Sequence, residues 1–112
     1  MAEDDDSGAD IITRLFSVIE SRRGGDPDDS YVAKRLGQGT HKIAQKVGEE
    51  AVEVALASVD GGADDVVSES ADLLFHLMML WAATGVRPDD VFAELAKREG
   101  VSGIAEKKSR AQ

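Results

Sequence analysis

The chain has 112 residues, 42% hydrophobic and 31% charged, the size and balance of one globular domain with a modest core. Twenty-two acidic against thirteen basic side chains leave a net charge of −9, which argues against a general nucleic-acid binder, whose footprint is basic. With no cysteine there is no disulfide framework, no thiolate metal site and no cysteine nucleophile, as befits a reducing cytoplasm. The acidic start Glu3-Asp4-Asp5-Asp6 is the opposite of a signal peptide. The longest apolar run, Leu77 to Ala83, falls short of the ~20 residues of a membrane span.

Residues 1–9 read as an acidic, flexible tail. Asp10 is placed to cap a helix carrying Ile11, Ile12, Leu15, Phe16, Val18 and Ile19 at helical spacing, and Gly24-Gly25-Asp26-Pro27 ends it. A short helical piece from Ser30 through Leu36 is closed by Gly37 and Gly39. A second long helix runs from Thr40 to about Asp60 and stops at Gly61-Gly62. A third runs from about Asp64 to Thr84 and stops at Gly85. Arg87-Pro88-Asp89-Asp90 opens a fourth, which reaches about Arg98, because proline suits the first turn and acids suit the positive helix end. Residues from about 99 to 112 form a basic C-terminal tail. No segment alternates as a strand does, so residues 10–112 are expected to make one all-α, antiparallel helical bundle with short connections.

The charged residues of the second long helix are not scattered. At ~100° per residue, Glu53, Glu49, Lys46 and Lys42 fall within ~100° of Glu50 on one arc. Ile43, Val47 and Val54 occupy the adjacent arc, which faces the core. On the third helix Asp72 lies ~60° and His76 ~20° from Glu69, beside the apolar arc of Val66, Leu73, Leu77 and Leu80. Each helix therefore carries an acid pair at i, i+3 bordering its core stripe. In a closed hairpin the two pairs can face each other at the edge of the core.

Four clustered carboxylates repel one another, and partial burial strengthens the repulsion. One such pair is most often a solvated face, but two on consecutive helices point to a divalent cation with oxygen ligands. Magnesium would also reverse the local field, so that an anionic substrate could dock on an acidic protein. Lys46 is either a helical partner of Glu49 and Glu50 or a phosphate contact, and Lys42 has no acid three or four residues away on its helix. His76 could orient a carboxylate or touch substrate, although a lone histidine near an apolar face is more often a packing residue. Met78, Met79 and Trp81 read as core or dimer interface. Lys97 to Arg110 holds five bases and two acids, either a phosphate clamp or a solvated tail.

Glu49-Glu50-Ala51-Val52-Glu53 followed by Glu69-Ser70-Ala71-Asp72 resembles the EExxE…ExxD motif of the MazG-like, all-α nucleoside triphosphate pyrophosphohydrolases. The stretches Ser30 to Lys34, Lys42-Ile43, Lys46 to Glu50, Ala71 to Leu77 and Arg98 to Gly103, with Glu106-Lys107 and Ser109-Arg110, resemble the phosphoribosyl-ATP pyrophosphatase family within that superfamily. The likeness spans about residues 10–110, and the acidic extension at 1–9 departs from it without touching the motif. It implies hydrolysis of phosphoribosyl-ATP to phosphoribosyl-AMP and pyrophosphate with Mg2+, the second step of histidine biosynthesis. It also implies that Glu50, Glu53, Glu69 and Asp72 hold metal, and that Glu49 is a further ligand or positions water. Lys42, Lys46, Lys107 and Arg110 would meet phosphates. No cyclohydrolase domain precedes the helices, so the next pathway enzyme is expected to be a separate chain. A dimer or higher homo-oligomer is expected, with helix one and the Met78/Met79/Trp81 region supplying the apolar surface. Two competing functions share these residues: a housecleaning pyrophosphohydrolase for other nucleotides, and a non-enzymatic helical interaction module.

Overall fold

A computed structural model describes residues 8–100. Among them are five helices and no strand: α1 (Gly8–Ser21), α2 (Tyr31–Gln38), α3 (Thr40–Asp60), α4 (Ala63–Thr84) and α5 (Pro88–Lys97). This is the all-α architecture that the periodicity implied. α3 and α4 form the most extensive pairing, a long antiparallel hairpin; α2 packs against both, α1 lies on α4, and α5 touches α1.

Local chemistry fixes most of the helix ends. The Ser30 side chain accepts a hydrogen bond from the Ala33 N–H at 3.1 Å and so satisfies one of the free donors at the start of α2. α2 does not stop at Gly37, which lies within the helix. Gly39, with φ of +92°, makes the break, because only glycine enters that backbone region without cost. Asp10 does not cap α1, which already begins at Gly8; it sits in the first turn, where a negative charge suits the helix dipole.

The α3–α4 turn is two residues long and tightly built. The Gly62 N–H donates to Asp65 Oδ2 at 3.0 Å. A Cβ on Gly61 would stand 2.7 Å from that same carboxylate oxygen and 3.0 Å from the Ala57 carbonyl, so a larger residue there would push the Asp65 carboxylate off the Gly62 N–H.

The core lies where α1 and α2 cover the hairpin. Phe16, Ile19, Val32, Ile43, Met78, Met79 and Ala82 are buried together, with Ile12, Leu15, Leu36, Phe75, Leu80 and Trp81 packed against them. Met78 and Met79 are therefore core residues, the first of the two readings their sequence offered, and they leave no apolar surface for an oligomer. The helix-one part of the expected oligomer surface differs: Ile11 and Val18 are exposed. So are Val52, Leu56 and Val59, which form a second apolar stripe ~140–180° around α3 from Ile43, and Val67 of α4.

Arg23 ties the segment after α1 to the far end of α4. Its guanidinium donates to the Ala82 carbonyl at 2.7 Å and pairs with Glu20 at 2.9 Å. The carbonyls of a last helical turn have no intrahelical donor, and a cation there also meets the negative end of the dipole.

α4 is, by length and composition, apolar enough to cross a membrane, although its uninterrupted apolar run is short. Its polar residues explain the difference. Glu69, Asp72 and His76 recur at i, i+3 and i+7 along one face of α4, and two of them are carboxylic acids. A lipid-facing helix has little use for such a face. α4 reads as the central helix of the bundle.

Candidate active site

The α3–α4 hairpin brings three carboxylates together. Glu50 from α3 and Glu69 and Asp72 from α4 each present an oxygen, and these atoms lie within 4.8 Å of one another. Glu50 and Glu69 are partly buried at the edge of the core, and Asp72 is exposed. The i, i+3 spacing on α4 puts Glu69 and Asp72 on one face, and the antiparallel pairing brings Glu50 opposite.

Crowding shows in the electrostatics. The Glu69 carboxyl is held above its ordinary value, first by desolvation and then by the negative charges of Asp72, Glu53, Glu50 and Asp65. Glu53 stands outside the close group of three and is exposed, yet its charge is felt at Glu69. Both line an open groove of about 270 Å³, shared with Leu56, Asp60 and Asp65, that leads towards the hairpin turn.

Glu49 faces elsewhere. One residue from Glu50, it points ~100° away around the helix. Its carboxylate accepts a hydrogen bond from Gln45 Nε2 at 2.9 Å and lies 3.5 Å from Lys46 Nζ. Gln45 does most to hold its pKa below the ordinary value, against some desolvation, with help from Lys46 and from the charge of Lys42. Lys46 also reaches Glu50 at 4.0 Å, so it bridges the inner and outer glutamates. Lys42 is exposed one turn earlier. Lys107 and Arg110 lie outside the described residues.

His76 is buried, one turn below Asp72 on the same helix. Both ring nitrogens are engaged within the chain: Nε2 with the Tyr31 hydroxyl at 2.8 Å and Nδ1 with the Asp72 carbonyl at 2.8 Å. Tyr31 and His76 pack edge to face, and the Arg35 guanidinium lies 4.9 Å above the Tyr31 ring. Sequence reasoning singled out His76 and Asp72 but not Tyr31 or Gln45. Gln45 was legible as a neighbour of Glu49 at i+4, whereas Tyr31, 45 residues from His76, gives no local signal.

The donor set fits a hard divalent cation. It is all oxygen, it is anionic, and it gathers at least three carboxylates that repel one another without a counter-ion. Nothing in it favours a soft metal, which would select thiolate or imidazole donors.

The fold and the site together define a helical bundle whose central hairpin gathers an acidic, oxygen-donor cluster. The comparison with known proteins is more particular. The chain belongs to the phosphoribosyl-ATP pyrophosphohydrolase family, whose sequence model matches residues 12–99. It is 58% identical over 102 residues to a protein of Paramagnetospirillum magneticum named phosphoribosyl-ATP pyrophosphatase, covering 91% of this chain and 94% of that one. A protein of the same name from Azospirillum brasilense is 54% identical over 98% of both chains. A third, from Rhodospirillum rubrum, is 56% identical over 92% of this chain and 88% of its own.

Proposed function

We propose that this chain hydrolyses phosphoribosyl-ATP to phosphoribosyl-AMP and pyrophosphate, the second step of histidine biosynthesis. The observation that carries the reading is the meeting of Glu50, Glu69 and Asp72 across the hairpin of a chain that matches this family over most of its length. Mg2+ is the cation proposed for that cluster, with Glu53 completing the set from the groove side. When bound, it supplies charge neutralisation for the polyphosphate and polarises water.

The chain's own residues do the rest. Phosphoryl transfer needs chiefly positioning and charge stabilisation. Water attacks one phosphorus of the α–β anhydride, that phosphorus loses its bond to the bridging oxygen, and pyrophosphate departs. A carboxylate must accept the water proton. Of the two glutamates in adjacent positions, Glu50 is the better placed, because Glu49 is already committed to Gln45 and Lys46. Glu49 instead holds Lys46 beside the cluster, where Lys46 can exchange a glutamate for a phosphate oxygen. Lys42, and Lys107 and Arg110 from the C-terminal tail, are proposed as the other phosphate contacts. His76 serves behind the carboxylates rather than against substrate, since both its nitrogens are occupied.

The reaction is proposed to run in the cytoplasm, in a homodimer or higher homo-oligomer. The uncovered apolar residues Val52, Leu56, Val59 and Val67 support the assembly. A stable monomer at micromolar concentration in sedimentation would count against it.

The deciding experiment measures pyrophosphate release from phosphoribosyl-ATP with and without Mg2+, beside ordinary nucleoside triphosphates. Metal-dependent turnover of phosphoribosyl-ATP alone is expected. Turnover of the ordinary nucleotides instead would move the protein to housecleaning, and no turnover by a folded sample would remove the enzymatic reading.

A further inference from the structure

We infer that Tyr31 is a positioning residue for the acidic cluster, acting through His76 on the turn of α4 that carries Asp72. The Asp72 carbonyl can only accept a hydrogen bond, so the His76 Nδ1 at 2.8 Å must carry a proton and donate it. In the neutral ring Nε2 is then an acceptor, and the Tyr31 hydroxyl at 2.8 Å donates to it. The result is a one-directional chain from the phenol of α2 through the imidazole to the backbone of the residue that supplies one carboxylate.

Its location gives the chain its purpose. Helical side chains lean towards the N-terminus of their helix, so the His76 ring covers the turn holding Asp72. Around α4, His76 lies between Glu69 and Asp72, and it is buried, whereas the Asp72 side chain one turn away is exposed. The phenol is held on its own account. Tyr31 is the first residue of α2, which the Ser30 cap starts, and the Arg35 guanidinium lies over one face of its ring, although Tyr31 as a whole is 44% exposed. Phe75 meets the imidazole edge to face at 6.0 Å. The docking of a short helix thereby fixes half of a site built on two other helices. Groups behind metal-binding side chains commonly set their orientation and affinity in this way.

The inference deepens the proposed function, and the experiment separates the two. Tyr31→Phe keeps the ring, and with it the stacking of Arg35, but removes the donor. Mn2+ binding followed by calorimetry is the primary readout, with turnover of phosphoribosyl-ATP beside it. The variant should keep the parent's helical spectrum, melt within about 8 °C of it, and bind Mn2+ about tenfold more weakly. Its kcat should fall at saturating substrate and fixed Mg2+ while KM for phosphoribosyl-ATP stays put. His76→Asn, which cannot reach Tyr31, is the second variant. The double variant should bind Mn2+ no more weakly than the weaker single, because both cut the same chain. Parental Mn2+ affinity in folded Tyr31→Phe would overturn the inference, even with slow turnover, which would then place Tyr31 against substrate. Additive losses in the double variant would overturn it too. A parent that failed to hydrolyse phosphoribosyl-ATP would sink the proposed function and leave the Mn2+ comparison to decide the role of Tyr31.

Discussion

The α3–α4 hairpin carries apolar side chains on two surfaces that meet opposite fates. At the end covered by α1 and α2, Ile43 of α3 and Met79 of α4 are 0% exposed. At the turn end, Val59 is 79% and Val67 69% exposed, on faces turned ~160° from Ile43 around α3 and ~120° from Met79 around α4. Periodicity marks which face of a helix is apolar; it does not say whether this chain has anything to lay against it. The acidic cluster sits between the two ends, with the packed core on one side and the open groove on the other.

Truncation should separate the ends most sharply. Ile43→Ala or Met79→Ala should cost about 2–5 kcal/mol in urea unfolding, because each leaves a cavity in a small core. Val59→Ala should cost less than ~0.5 kcal/mol if the turn end is open. A cost at Val59 that matched Met79 and grew with protein concentration would show that a second copy covers that end.

The cluster between the ends should dominate activity without dominating stability. Glu50→Gln keeps shape and removes charge, and should lower metal-dependent pyrophosphate release by at least ~10²-fold. Its folded state should persist, since relief of repulsion offsets the lost pairing with Lys46. Turnover at the parental rate by the folded variant would detach Glu50 from the chemistry.

Arg23→Ala tests the far end of α4. Losing a charged donor to the Ala82 carbonyl should cost ~1.5 kcal/mol, seen as a lower urea midpoint with unchanged turnover.

The smallest effect is a pH dependence. Because the folded-state pKa of Glu69 is raised above the ordinary 4.5, its stabilising contribution is present below that value and is lost as pH rises through the raised one. Without metal, the parent should therefore lose thermal stability relative to Glu69→Gln as pH climbs from below 4.5 into the neutral range. Saturating Mg2+ should erase or reverse the difference. Glu49 and Glu94 of α5, the latter held below its ordinary value chiefly by the hydrogen bond from Arg98 and then by the Lys97 charge, act in the opposite sense: their contributions are present above 4.5 and are lost as pH falls.

Much of this was legible in the sequence because it is local. Thr40 and Asp60 bound α3 as read, Gly85 stops α4, and Pro88 opens α5, since glycine and proline act on their own backbone. The i, i+3 acid pairs and the i+3 and i+4 contacts of Lys46 follow from helix geometry alone. Local rules erred where two candidates competed: Gly37 stays helical and Gly39 makes the break, and Asp10 lies inside the helix it was expected to cap.

Residue order alone specifies an all-α chain with acid pairs on two helices and a core stripe beside each. Helix packing settles that Glu50 joins Glu69 and Asp72 while Glu53 lines the groove, and that Met78 and Met79 turn inward. It also settles that Tyr31 reaches His76 across 45 residues. Helical periodicity fixes the direction of a side chain around its own axis, whereas the separation and rotation of packed helices are set by how their side chains interlock, and that is a property of pairs.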